Sequence, residues 1–203
     1  MSIVKLNNNG VKNATAFGSI TGLGNLVFIS RSTASSSASV SITSGINSTY
    51  KEYIFMFNNI HPSNDDITFH FQANASGGSG FNETITSTQF RATHGEDGSS
   101  ASLDYLTGAD QAQGTSYQLL AGSVGNDADQ GLSGDLYVYN PSSSTFVKHF
   151  IANVNSSAHS DRTNLNVTAG YINTATAITR FDFKFSSGNV DAGLIKLYGI
   201  KGS

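Results

Sequence analysis

YKEYIFMFNNI, residues 50–60, decides the fold class. In an extended chain Tyr53, Phe55 and Phe57 fall on one face, and Ile54 and Met56 on the other. Both faces are apolar, which predicts a central strand covered on each side. Asn58-Asn59-Ile60-His61-Pro62 should end it, because proline has no N–H to give a ladder.

The flanks repeat the strand period. Upstream, Ala38, Val40 and Ile42 alternate with Ser39, Ser41 and Thr43. Downstream, Ile67, Phe69, Phe71 and Ala73 alternate with Thr68, His70, Gln72 and Asn74. Each reads as a half-buried strand with one face in and one face out. Further strands are predicted over residues 26–29, 117–121, 135–139, 145–154, 165–171, 178–186 and 194–200. In the stretch 178–186, Phe181, Phe183 and Phe185 point inward while Asp182 and Lys184 point out. Turn signals such as Asn140-Pro141 and Ser187-Gly188-Asn189 separate the strands. About ten short strands at such intervals, with no linker and no internal repeat, predict a single antiparallel β-sandwich of the jelly-roll kind over residues 26–203.

Two stretches stand outside this pattern. Residues 1–25 are rich in Asn and Gly and read as an extended N-terminal arm. Residues 75–115 read as an irregular insertion. They open with the flexible loop Ser76-Gly77-Gly78-Ser79-Gly80, include a candidate strand over 84–91, and continue through the turn cluster His94-Gly95-Glu96-Asp97-Gly98. Residues 103–109 read as a helical turn or a wide loop. Excursions of roughly 40 residues are uncommon in compact domains, and loops of that kind often carry recognition.

Composition supports the same class. Ser, Thr, Asn and Gly make up 88 of the 203 residues, only 12% of residues are charged, and Glu occurs just three times. Helical proteins draw their solvent face from Glu, Lys, Leu and Ala, so a mostly helical fold is excluded. Hydrophobic content of 38%, with 13 Phe and 8 Tyr, is too rich for a disordered chain. With no Cys, thiol catalysis, Cys-based zinc sites and disulfides are all excluded. No apolar run reaches the roughly 20 residues of a membrane-spanning helix, and no signal peptide is expected from the N-terminus. The eleven basic residues occur singly, which argues against nucleic acid. A weakly charged, hydroxyl- and amide-rich surface suits protein faces or glycans instead.

Motifs for chemistry are weak. His61, His70, His94, His149 and His159 show no metal-binding spacing, and His70 and His149 read as surface or half-buried strand residues. Asp127-Ala128-Asp129-Gln130-Gly131 opens like a calcium loop, but Leu132 and Val138 stand where Gly and Glu belong. Gly77-Gly78-Ser79-Gly80-Phe81 lacks the closing Gly of a nucleophile elbow. Nothing in the spacing of Glu52, Glu83 and Glu96 brings two of them to glycosidase separation. The eight tyrosines read as strand packing rather than sugar platforms, and the missing Trp counts against a lectin groove. The expectation is a protein that is not an enzyme, with no cofactor and no metal, and with its ligand-binding residues unassigned.

Three stretches together carry a resemblance: Asn13-Ala-Thr-Ala-Phe-Gly-Ser19, residues 46–62 around the central strand, and the tail SSGNVDAGLIKLYGIK, residues 186–201. They resemble a group of marine tailed-phage proteins, often encoded beside virion structural genes. The likeness spans nearly the whole chain, is vaguest over 75–115, and carries no catalytic residues. It implies a virion component made in the host cytoplasm, either a capsid decoration protein or a short fibre or tail protein. The implied partners are capsid or tail subunits and further copies of the chain, a trimer being the expectation. Residues 1–25 would attach by strand addition. The alternative is an adhesin that binds a receptor or host surface glycan through residues 75–115. Nucleic acid and membrane insertion are not expected.

Overall fold

A computed structural model describes residues 25–202, so the arm expected at 1–25 lies outside the described residues apart from Asn25. Thirteen strands follow in order, with no helix among the described residues. They are β1 (Leu26–Ser37), β2 (Val40–Ile42), β3 (Glu52–Pro62), β4 (Ile67–Ala75), β5 (Ile85–Gly95), β6 (Ala101–Tyr105) and β7 (Ala112–Gly114). Then come β8 (Gln118–Val124), β9 (Leu132–Tyr139), β10 (Lys148–Ala158), β11 (Arg162–Ile172), β12 (Ile178–Phe185) and β13 (Val190–Ile200).

All pairings are antiparallel and form two layers. The large sheet runs β1-β13-β3-β9-β10-β11-β5, with β6 and β7 sharing the far edge of β5. The small sheet runs β2-β12-β4-β8. One pair, Ala158 with Val124, ties β10 to β8 and nearly closes the layers into a barrel. Treating the β9–β10–β11 meander as one unit, the chain crosses between sheets in jelly-roll order. The small sheet is then β2-β12-β4-β8, and the large one is β3, the meander, β5 and β6, with β13 and β1 added beside β3.

Phenylalanines hold the layers together. Phe55 and Phe57 of β3 meet Phe181 and Phe183 of β12, with ring centroids 4.8–5.3 Å apart in the pairs Phe55–Phe181, Phe55–Phe183 and Phe57–Phe183. Phe57 also meets Phe69, and Phe71 of β4 meets Phe150 of β10 at 5.0 Å. Each of these rings is buried, and removing one from water contributes about 1.5–3 kcal/mol. Tyr53 sits at the end of the same layer. Its hydroxyl donates to the Asn47 carbonyl at 2.9 Å and accepts from the Asn47 N–H at 3.0 Å, which pins the loop entering β3.

β3 runs on through Pro62 rather than stopping before it. A bulge takes up the strain: Asn59 adopts a φ of 48° and Gly193 on β13 a φ of 120°. Pairing with β9 has already ended at Ile60, so the missing N–H of Pro62 is not needed there.

Residues 75–115 are more regular than expected. β5 pairs with β11 along its entire length, β6 covers residues 101–105, and a turn rather than a helix follows. The apolar alternation that marks a strand is inverted here. Ser87, Gln89, Arg91 and Thr93 share the inner face, whereas Phe90 and Ala92 point out. The interior they meet is itself polar, with Asn164, Asn166 and Thr168 of β11 buried beside them. Ser87 Oγ donates to Gln118 Oε1 at 2.6 Å, and Thr93 Oγ1 to Asn164 Oδ1 at 2.9 Å.

Candidate functional site

The two outer faces of the sandwich differ in chemistry. On the small sheet the outward residues are Thr68, His70, Gln72 and Asn74 of β4 and Arg180, Asp182 and Lys184 of β12. They are engaged with one another and with loops. Gln72 Nε2 donates to the carbonyls of Glu83, Thr115 and Ser116. Arg180 donates to the Gly78 carbonyl, and Asp182 accepts from Ser41 and Tyr117. Lys184 lies over the Tyr117 ring at 4.2 Å. This face is already covered by its own chain.

The large sheet presents the opposite. Its register sets one continuous cross-strand row: Phe28, Tyr198, Ile54, Tyr137, Ile151, Ala169 and Thr88, from β1 to β5. The adjacent row carries Leu26, Ile200, Glu52, Tyr139, His149, Tyr171 and Thr86. On the other side lie Arg31, Lys196, Met56, Asp135, Asn153, Val167, Phe90 and Tyr105. Of the eight large exposed apolar side chains among the described residues, seven stand on this face; Phe146 is the exception. Phe28 is 54% exposed and Leu103 73%. No described element covers them, although the two-faced apolar β3 led us to expect a cover on each side.

Relief on this face is uneven. A depression of about 520 Å³ lies over β10, β11 and β5 between Tyr139, His149, Ile151, Tyr171, Thr86 and Thr88. The Tyr137 and Tyr139 rings stack at 6.5 Å beside it, and His149 meets Tyr171 edge-on at 6.0 Å. Toward the opposite end of the strands is a polar groove of about 590 Å³, lined by Asn59, His61, Asp129, Ser133 and Asn155. Asn59 and Ser133 already satisfy each other there.

The five histidines are scattered. His61 contacts the Asp127 carbonyl at 3.2 Å and faces Asp191 at 3.9 Å. His159 pairs with Asp66 at 3.1 Å. His94 is exposed on β5, and His149 is exposed in the depression. His70 is partly buried on the small sheet, with Nε2 at 3.2 Å from Thr68 Oγ1. Burial, helped by the Lys184 ammonium, lowers its pKa to about 4. Among the described residues no three His, Asp or Glu side chains group as metal ligands would.

The acidic residues singled out in the sequence also serve local structure. Glu52 stands on the outer face of β3, Glu83 Oε1 accepts from the Ala75 N–H at 2.7 Å, and Glu96 is in an exposed turn. The structure brings none of these three together. Residues 127–131 form a turn closed by Gln130 N–H to the Asp127 carbonyl. Lys148 is fully buried, and its ammonium donates to the carbonyls of Ser143, Phe146 and Thr174 at 2.7–2.9 Å. Burial lowers its pKa, opposed by Glu83.

What the sequence reading missed is the outer aromatic band. The signal lay in LYVY, residues 136–139, where Leu136 and Val138 are core and the tyrosines necessarily face out. No family model, curated protein or solved structure matches the chain.

Proposed function

We propose that this chain is a non-enzymatic structural protein of a tailed-phage particle. It would serve as capsid decoration or a short fibre or tail component, attached through residues 1–25 and a face of the sandwich. The observation that supports this reading is the outer face of the large sheet. Seven large exposed apolar side chains gathered on one face mark a contact surface. The resemblance of residues 13–19, 46–62 and 186–201 to marine phage proteins supplies the particle. Deleting residues 1–25 should abolish incorporation into particles while leaving the sandwich folded; unchanged incorporation would refute the attachment.

A second reading, a glycan- or receptor-binding adhesin, draws on the same depression. β5, from the 75–115 stretch, contributes Thr86 and Thr88 hydroxyls next to the Tyr139 and Tyr171 rings. Hydroxyls beside aromatic faces suit a neutral sugar. Binding of a neutral oligosaccharide that is lost in Tyr171→Ala would favour this reading.

A further inference from the structure

We propose that the outer face of the large sheet is a homodimer interface, with a second copy packed face to face about a two-fold axis running along β9. The inference rests on the reading of this face as a contact surface, and assigns it to a second copy, which leaves residues 1–25 as the attachment to the particle.

Three observations carry it. First, β9 is the middle of the seven long strands, with β3, β13 and β1 on one side and β10, β11 and β5 on the other. An axis there lays each edge over the opposite edge of the partner, so the exposed apolar side chains of the seven strands face the partner, while Leu103 and Tyr105 of β6 lie beyond its edge. Second, the area is sufficient. Seven strands at about 4.8 Å and four outward residues at about 6.8 Å give about 900 Å² per copy, or about 1,800 Å² in total, within the range of stable interfaces.

Third, the axis matches particular features of the two halves. Leu26 and Phe28 are exposed on the β1 side, and the depression lies on the β10–β11–β5 side, in the same cross-strand rows. The axis brings the exposed side chains of one copy onto the depression of the other, and sets Ile151 over the partner's β3 in the row of Tyr137 and Tyr198. Glu52, one strand to one side of β9, then faces His149, one strand to the other side. Arg31 comes over the Phe90 ring, a favourable cation–π placement. Asp135 lies on the axis and faces its own copy, a repulsion built into the arrangement. The small sheet offers no comparable surface, since its outward groups are already hydrogen-bonded within the chain.

The test is sedimentation equilibrium of the full chain and surface variants, with folding checked by circular dichroism. The wild-type chain should be dimeric at about 10 µM, as an interface of this size predicts. Ile151→Lys and Phe28→Ser, both at exposed positions, should weaken the dimer at least tenfold, whereas Asp135→Asn should tighten it. Glu52→Lys and His149→Glu should each be monomeric alone and form a heterodimer when mixed. A wild-type monomer, a dimer indifferent to Ile151→Lys, or no heterodimer on mixing would overturn the proposal. Loss of the dimer on deleting residues 1–24 would overturn it too, by assigning the dimer contact to that segment. A monomer in which a neutral oligosaccharide protects Tyr171 would hand the face to a glycan. Failure here is separable from failure of the virion reading: a dimer absent from particles refutes only the latter.

Discussion

Acidification should destabilise this protein through His70 in particular. The imidazole is held between Thr68 and the cross-strand Lys184, and its pKa falls from 6.5 to about 4 in the folded chain. The unfolded chain therefore takes up the proton first. Stability attributable to His70 is full above about pH 6.5, falls as pH drops through the window between 6.5 and about 4, and levels off below it. At about 1.4 kcal/mol per pKa unit the ceiling is about 3 kcal/mol, with about 2 kcal/mol lost by pH 5. Urea unfolding of the wild type and His70→Gln, compared at about pH 7, 6 and 5, isolates this residue from other titrating groups. The glutamine variant should lose about 2 kcal/mol less than wild type between the first and last conditions. Equal losses in the two proteins would show that His70 takes up its proton without unfolding, and would refute the reasoning.

Other perturbations have equally definite outcomes. Phe183→Ala removes the ring that joins Phe55, Phe57 and Phe69, and should cost about 3–5 kcal/mol, measured by urea unfolding. Lys148→Met leaves three carbonyls without their donor and should cost about 2–4 kcal/mol in the same measurement. Gly193→Ala should cost about 2 kcal/mol or more by thermal unfolding, because φ is 120° and the new Cβ would lie 2.5 Å from the Asn59 carbonyl oxygen.

Fold and site were unequally legible in the sequence. The jelly roll could be read because Phe55, Phe57, Phe69, Phe71, Phe181 and Phe183 sit at alternate positions, and a period of two with bulky rings has few alternative meanings. β5 was legible only in part, as a candidate strand over 84–91 rather than Ile85–Gly95, because its inner face is Ser87, Gln89, Arg91 and Thr93, and a strand facing a polar interior shows no apolar alternation. The extent of β3 was underestimated for a different reason. Pro62 forbids a ladder bond only where one is required, and the bulge at Asn59 shifts pairing so that none is. The outer face needed the register. Phe28, Tyr198, Ile54, Tyr137 and Ile151 are far apart in sequence, and only the order β1-β13-β3-β9-β10 places them in one row.

That row also changes how β3 is understood. Its second apolar face lies between neighbouring rings of the same sheet, leaving Ile54 buried beneath Tyr137 and Tyr198 without a covering layer. A strand apolar on both faces normally has layers on both sides. Contact with another molecule would supply the second layer.

The proposed place of this chain in a virus particle is tested by its copy number. Quantitative mass spectrometry of purified particles, referenced to the major capsid protein, should find it at a fixed copy number. One copy per capsid subunit, or a simple fraction, identifies decoration; a few to a few dozen copies identify a fibre or tail component. Absence from the purified particle would contradict the account.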